Sequence, residues 1–182
     1  MSKHKARQQA RIVSAAMEVI QNEGLSRVNM SKLAEAAGMT RQTLYNHFPD
    51  VESIITATLQ MHGEAMQKHL AETTDAAEGA IAKLLAFAAF HIEAAAFGHE
   101  NISLEAGLSA KGRAHVADYE RAAFSLLESF VLDGVSESGD AVIITHLVQG
   151  VINGGVTATT QNPAQKAEIL RALEKAILAI LS

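Results

Sequence analysis

The stretch Met30–Phe48, MSKLAEAAGMTRQTLYNHF, decides the fold. It reads as two short helices joined by a tight turn. Within Ser31–Ala37, the residues Leu33, Ala34 and Ala37 fall at helical spacing, so one face is apolar and mostly small. Asn29 suits the N-cap, because its side chain accepts a bond from a free amide of the first turn. Gly38 suits the left-handed conformation that ends a helix, which a residue with a Cβ enters only at a cost. Thr40 then caps a second helix, Arg41–Phe48, with Leu44 and Phe48 four apart on its inner side. Ala34 and Ala37 are small enough to let the two helices approach closely. Pro49 ends the unit, since it lacks an amide hydrogen and restrains the residue before it.

The outer face of the second helix holds Arg41, Gln42, Tyr45 and Asn46. Arg bonds a guanine bidentately, and Gln an adenine. The free amides at a helix start also favour nearby phosphate. These features describe a helix-turn-helix with its second helix in the DNA major groove.

The same residues resemble the tetracycline-repressor (TetR) family of bacterial transcription regulators, over about Arg11 to Ile55. The resemblance rests on an amphipathic first helix, Gly24, Leu33-Ala34, Ala37-Gly38-Met39-Thr40, Leu44-Tyr45, His47-Phe48 and Ile54. Asn29 stands where the family often has Thr or Ser, an exchange of one capping residue for another. Val51 stands where the family often has a Lys that touches phosphate, so that backbone contact is not expected from this position. Arg41 and Gln42 are assigned to base edges, and Thr40, Thr43, Tyr45 and His47 mainly to phosphate or mixed contacts. Tyr45 and His47 are carried over from the family's Tyr-x-His element. For Asn46 and Gln42, a solvated surface side chain is the competing reading.

Charge fits a basic head on an acidic body. The chain of 182 residues has a formal net charge of -5. Residues 1–50 carry seven basic and four acidic side chains, a balance of about +3, and the remainder is about −8. Such a division orients the head toward DNA and keeps the body off it. There is no Cys, which excludes disulfides and thiolate metal sites. Two Pro, no Trp and abundant Ala, Leu, Ile and Glu predict an all-α protein. The basic, polar N-terminus is not a secretory signal. Polar residues interrupt the longest apolar runs, so no clean membrane span and a cytoplasmic protein are expected.

In chain order, residues 1–49 form the DNA-binding domain, 50–70 a connecting helix, and 71–182 a ligand-binding and dimerisation domain. Ser2–Arg11 is either a solvated basic terminus or an arm on phosphate or in the minor groove. Ile12, Ala15, Ala16, Val19 and Ile20 make one face of a first helix ending near Gly24. Asp50 caps the connecting helix, which spans roughly 30 Å at about 1.5 Å per residue. Its His62 and His69 lie two turns apart, not at chelating spacing, and no metal or cofactor is expected. Asp75 and Glu78 resemble a capping box before a helix of about Gly79 to Phe97. A short helix fits Ser103–Leu108, a longer one Arg113–Leu132, and Asp133–Asp140 reads as a loop. The last two helices are Ala141–Thr159 and Pro163–Leu181, the latter capped by Asn162 with Gln165 at the capping-box position. Both have apolar surface to spare, and mid-helix glycines suggest a close crossing. Candidate interface residues are Ile143, Leu147, Gly150, Val151, Gly154, Ile169, Leu173, Ile177 and Ile180.

The resemblance implies more. In that family the last two long helices of each chain form a four-helix dimer bundle, which implies a homodimer on an inverted-repeat operator in double-stranded DNA. It also implies a small-molecule effector held between the connecting helix and the next helices, and most often a repressor. Candidates for that pocket are Met66, Phe87, Phe90, His91, Phe97, Tyr119 and Phe124, with Gln149 or Asn153 as polar contributors; taken singly, each Phe reads more readily as ordinary core. The competing function is a DNA-bound dimer controlled by a protein partner. An enzyme is not expected: no glycine-rich phosphate loop follows a strand, and no His-Glu-x-x-His motif occurs.

Overall fold

A computed structural model describes residues 3–96, 108–134 and 140–182. Among them every regular element is helical: α1 Lys3–Glu23, α2 Met30–Ala37, α3 Arg41–His47, α4 Val51–Asp75, α5 Ala80–Ala96, α6 Ala110–Gly134, α7 Ala141–Gln161 and α8 Lys166–Leu181. Short 3-10 turns cover Leu25–Arg27 and Pro163–Gln165.

Two compact units divide these elements. The first takes the described residues up to 65 together with 108–118. Its core joins Ile12, Val13, Ala16 and Val19 of α1 to Met30, Leu33 and Ala34 of α2, Leu44 of α3, Phe48, and Ile54 of α4. Ile12, Leu33, Leu44 and Ile54 are completely buried. Truncating one of them to Ala costs about 2–5 kcal/mol, a large part of a small unit's stability. A neighbouring cluster of Ile20, Leu25, Leu59 and Leu108 brings the start of α6 into the same unit, where Leu59 and Leu108 lie close to Gly112.

The second unit takes residues 66–96, the described residues from 119 to 134, and 140–182. Leu84, Phe87, Phe90 and Ile92 of α5 meet Leu127, Phe130 and Val131 of α6, Val148 and Ile152 of α7, and Leu173 and Ile177 of α8. Gly155 sets the approach of three helices. A Cβ there would stand 2.8 Å from Ile92 Cδ1 and 3.0 Å from Leu173 Cδ1. The close crossing expected from the mid-helix glycines is therefore made by Gly155, while Gly150 and Gly154 face open space.

Several local readings need correction. α4 runs on to Asp75, so Asp75 ends one helix instead of capping the next. The segment after Leu70 has no Gly or Pro until Gly79, and the Thr73 and Thr74 hydroxyls donate back to His69 O and Leu70 O within the helix. The break comes at Gly79, with φ 84°. α6 extends through Asp133 and Gly134, two residues into the expected loop. Asn162 makes no side-chain cap; it closes α7 through its own N–H to Ala158 O, and α8 proper starts at Lys166. The basic stretch before Ile12 is helical from Lys3. The helix expected at Ser103–Leu108 and the centre of the 133–140 loop lie outside the described residues.

By length and composition α7 is the one described helix apolar enough to cross a membrane. One side of it is packed against α5 and α8, and the source of its remaining apolar surface is a single exposed stripe described below.

The Asp50 carboxylate accepts from Ser53 N at 2.7 Å and caps α4. That backbone bond, helped by the Ser53 hydroxyl, holds its pKa below the ordinary carboxylate value. A depressed folded pKa means the cap's contribution is complete above the unfolded value of about 3.9 and is lost as pH falls through the folded one. Asp50→Asn keeps a side-chain acceptor and takes up no proton. Thermal unfolding followed from about pH 6 to pH 3 is expected to show a shallower acid loss in that variant. Superimposable profiles would remove Asp50 from the acid response.

Candidate nucleic-acid interface

The interface is built on three fixed points. Asn29 Oδ1 accepts from Ser31 N at 3.1 Å and Lys32 N at 3.0 Å, which starts α2. Gly38 ends α2 in the left-handed conformation, φ 60° and ψ 43°, with Met39 N donating to Ala34 O at 2.9 Å. Two residues later Thr40 Oγ1 accepts from Thr43 N at 3.1 Å and starts α3. Nothing between the two helices is free to slide, because each end is bonded and Leu33, Leu44 and Phe48 anchor them from below.

α3 then shows one side to solvent. Arg41, Gln42, Tyr45 and Asn46 are exposed, with Tyr45 at 45%. Gln42 Nε2 lies 3.4 Å from Asn46 Oδ1, so the two amides sit side by side on one face. Arg41 has no ion pair among the described residues, in contrast to Lys32, which is tied to Glu23. Thr43 is half-buried, and its hydroxyl lies 2.8 Å from that of Thr40. His47 is half-buried in the last turn, its Nδ1 enclosed without a hydrogen bond, so less of it is presented than of Tyr45. Val51 is half-buried against the head core and supplies no charge.

Sequence reading offered Ser2–Arg11 as a candidate phosphate arm but did not place Arg11 beside the turn. An open groove of about 540 Å³ runs beside the turn, lined by Gln8 and Arg11 of α1, Ala34 and Glu35 of α2, Gly38, Met39, Thr40 and Thr43. Arg11 reaches it by lying across Gly38. Its Nη2 is 2.8 Å from where a Cβ would stand. No pattern along the chain pairs residue 11 with residue 38.

The sequence model for bacterial regulatory proteins of the tetR family matches residues 12–58, which cover α1 from Ile12 on, α2, the turn, α3 and the start of α4. The match covers 47 of the 182 residues, the helix-turn-helix segment alone. An HTH-type transcriptional regulator of Mycobacterium bovis is 31% identical over 88 residues, 48% of this chain and 47% of that one. The match thus spans about half the length of that curated relative. A TetR-family regulator of Streptomyces coelicolor superimposes with a TM-score of 0.78 over 97% of this chain and 95% of that one, at 16% identity. The regulator FadR of Bacillus subtilis, solved with stearoyl-CoA, gives 0.73 over 95% and 97%, at 21% identity. At such identities the likeness is one of fold.

In the body the candidate residues separate. Phe87 lies against His91 with the rings tilted and their centroids 4.7 Å apart, and Phe90 lies between His69 and His91 at 5.4 and 5.5 Å. Met66 packs against the same cluster. Tyr119 and Phe124 are half-buried on α6, with Phe124 5.3 Å from His146. Gln149 and Asn153 do not join them. They bond each other at 2.8 Å, and Asn153 is exposed, because the α7 face at 148, 152 and 155 is the one turned inward. Phe97 lies outside the described residues.

The interface candidates separate too. Ile143 and Leu147 are 63% and 53% exposed, and among the described residues nothing lies within 4 Å of a Cβ added at Gly150 or Gly154. Val151, Ile169 and Ile180 are half-buried against the body core. Leu173 and Ile177 do not lie on an open face: both are buried in the chain's own core. One apolar stripe faces only one way, and α8 spends its stripe on α5 and α7. Val142 and Leu178 are exposed in their place.

Gly38 carries two constraints, a positive φ and the Arg11 guanidinium. Gly38→Ala is expected to destabilise the head by roughly 1–2 kcal/mol for the backbone conformation alone. Gly38→Asn, which tolerates that conformation better, is expected to remain destabilised because its Cβ displaces Arg11. Urea unfolding of both variants checks this, and a wild-type midpoint for Gly38→Asn would show that Arg11 yields freely.

Proposed function

We propose that this chain is a dimeric DNA-binding transcriptional regulator, a repressor released from an inverted-repeat operator by a small apolar ligand, and that it works in the cytoplasm. The observation that carries the DNA reading is α3. A capped helix presents an unpaired Arg, two side-by-side amides and an exposed Tyr on one face, above a core that leaves it no other orientation. Arg41 and Gln42 read base edges, with Asn46 beside them. Thr40, Thr43, Tyr45 and His47 touch the backbone or mix the two kinds of contact. Regulation, not turnover, is the role of such a surface.

Dimerisation is supported by α7. Ile143, Leu147, Gly150 and Gly154 follow a spacing of four, three and four, the period of a helix-on-helix seam. The first two are exposed large apolar residues, and the two glycines leave room for a helix at close distance. A dimer formed on this stripe carries two α3 helices, one for each half-site of an inverted repeat whose half-sites lie about 34 Å apart or somewhat more. Ligand control is supported by the gathering of Met66, Phe87, Phe90 and His91 in the body, and by solved neighbours such as the stearoyl-CoA complex. For release, the ligand must bind the conformation that does not fit DNA better than the one that does.

A second reading, control by a protein partner, has its own observation. Ile81 of α5 and Leu132 of α6 are 44% and 48% exposed, near the ends of helices that touch where Gly134 meets Ala80. Selection of bound duplexes from random DNA at stated salt, followed by a screen of apolar compounds for release, separates the readings. An inverted repeat released by a compound supports ligand control. A motif that no compound releases favours the partner, and no motif overturns the DNA reading.

Arg41→Ala is expected to lower affinity for the selected duplex by roughly ten- to a hundredfold while the dimer persists. Unchanged affinity would remove Arg41 from the readout. Gly154→Leu leaves the chain's own core untouched, because that position faces open space. It is expected to weaken the dimer in sedimentation, and an unchanged dimer would move the interface off this face.

A further inference from the structure

We propose that the groove beside the turn seats one DNA backbone phosphate, held by Arg11, so that α1 clamps the duplex that α3 reads. The proposal rests on the DNA reading given above. It narrows the basic stretch Ser2–Arg11, read from sequence as a solvated terminus or an arm, to one guanidinium at one seat on α1, and it supplies a cation to a head that lacks one at Val51.

Four observations meet at this place. The groove is open and large enough for a phosphate with its sugar flanks. Arg11 is exposed and has no carboxylate partner among the described residues, so its guanidinium is not neutralised in advance. It is also not loose, since it lies across the bare Cα of Gly38. Planar donors held in place suit phosphate oxygens better than a mobile ammonium does.

The third observation is a proton count at Thr40 and Thr43. Thr40 Oγ1 accepts from Thr43 N, and the two hydroxyls bond each other at 2.8 Å. Two hydroxyl protons serve one mutual bond, so one proton remains to be donated outward whichever residue supplies the other. The fourth is Gln8, half-buried on the same wall one helical turn before Arg11, with an amide that donates. Glu35 also lines the groove and opposes an anion. Its charge makes Arg11 the group without which the seat would repel phosphate.

The seat reads no base. Its contribution is register, fixing how far along the groove Arg41 and Gln42 are held. Removing it lowers affinity for all sequences alike, and the dependence on salt becomes shallower.

The test uses the full chain and the duplex that wild type selects, titrated across salt. Arg11→Gln is expected to reduce the slope of log affinity against log salt by about 1 per head and to weaken binding about tenfold, with base preferences unchanged. Arg11→Lys is expected to recover the slope. Replacing single backbone phosphates by neutral methylphosphonate is expected to expose one position per half-site where wild type loses affinity and Arg11→Gln loses nothing more. An unchanged slope in a folded Arg11→Gln overturns the proposal and leaves the DNA reading standing. So does equal weakening in the Gln and Lys variants with every phosphate still felt, which would make Arg11 only a brace on Gly38. If wild type selects no duplex, the seat and the reading fall together.

Discussion

The head depends on one backbone conformation. Gly38 turns left-handed, and that single turn sets the angle between α2 and α3. Everything on either side serves it. Asn29 and Thr40 fix where the helices begin, Leu33 and Leu44 bury the inner faces completely, and Ala34 and Ala37 keep the distance short. Arg11 adds a constraint from a third helix by filling the space where a Cβ would be. The outer face of α3 is polar because nothing inside the head remains for it to do.

The body is organised by a different economy, the limited number of apolar faces. α5 is apolar nearly all round and is enclosed by α6, α7 and α8. α8 has one stripe and uses it inside the chain. α7 has two. One, through Val148, Ile152 and Gly155, completes the core, and the other, through Ile143 and Leu147, stays in solvent. The three glycines of α7 divide along the same line: Gly155 admits Ile92 and Leu173, while Gly150 and Gly154 keep an outer surface shallow.

Charge follows the same division of labour. Within the head, Lys32 is tied to Glu23, whereas Arg41 and Arg11 have no ion pair among the described residues. The two unpaired guanidiniums flank the turn from different helices. A field made by side chains fixed at their bases costs little to reorganise when an anion arrives, which favours rapid and correctly oriented association.

The sequence by itself determined the helix-turn-helix, down to its caps, because those interactions join residues two to four apart and leave their mark as residue types at fixed spacing. Asn29, Gly38, Thr40 and Asp50 were all legible for that reason. The family resemblance followed from the same short-range pattern. What spacing could not show was whether a helix uses its apolar stripe inside its own chain, so Leu173 and Ile177 read as interface between copies and lie in the chain's own core. Nor could it end α4, where threonine hydroxyls bond back into the helix in place of capping the next one. Only the tertiary structure laid Arg11 across Gly38, placed 108–118 with the head, and separated Gly155 from Gly154. Those contacts join residues distant along the chain, and their physical cause is the filling of space, which no local pattern records.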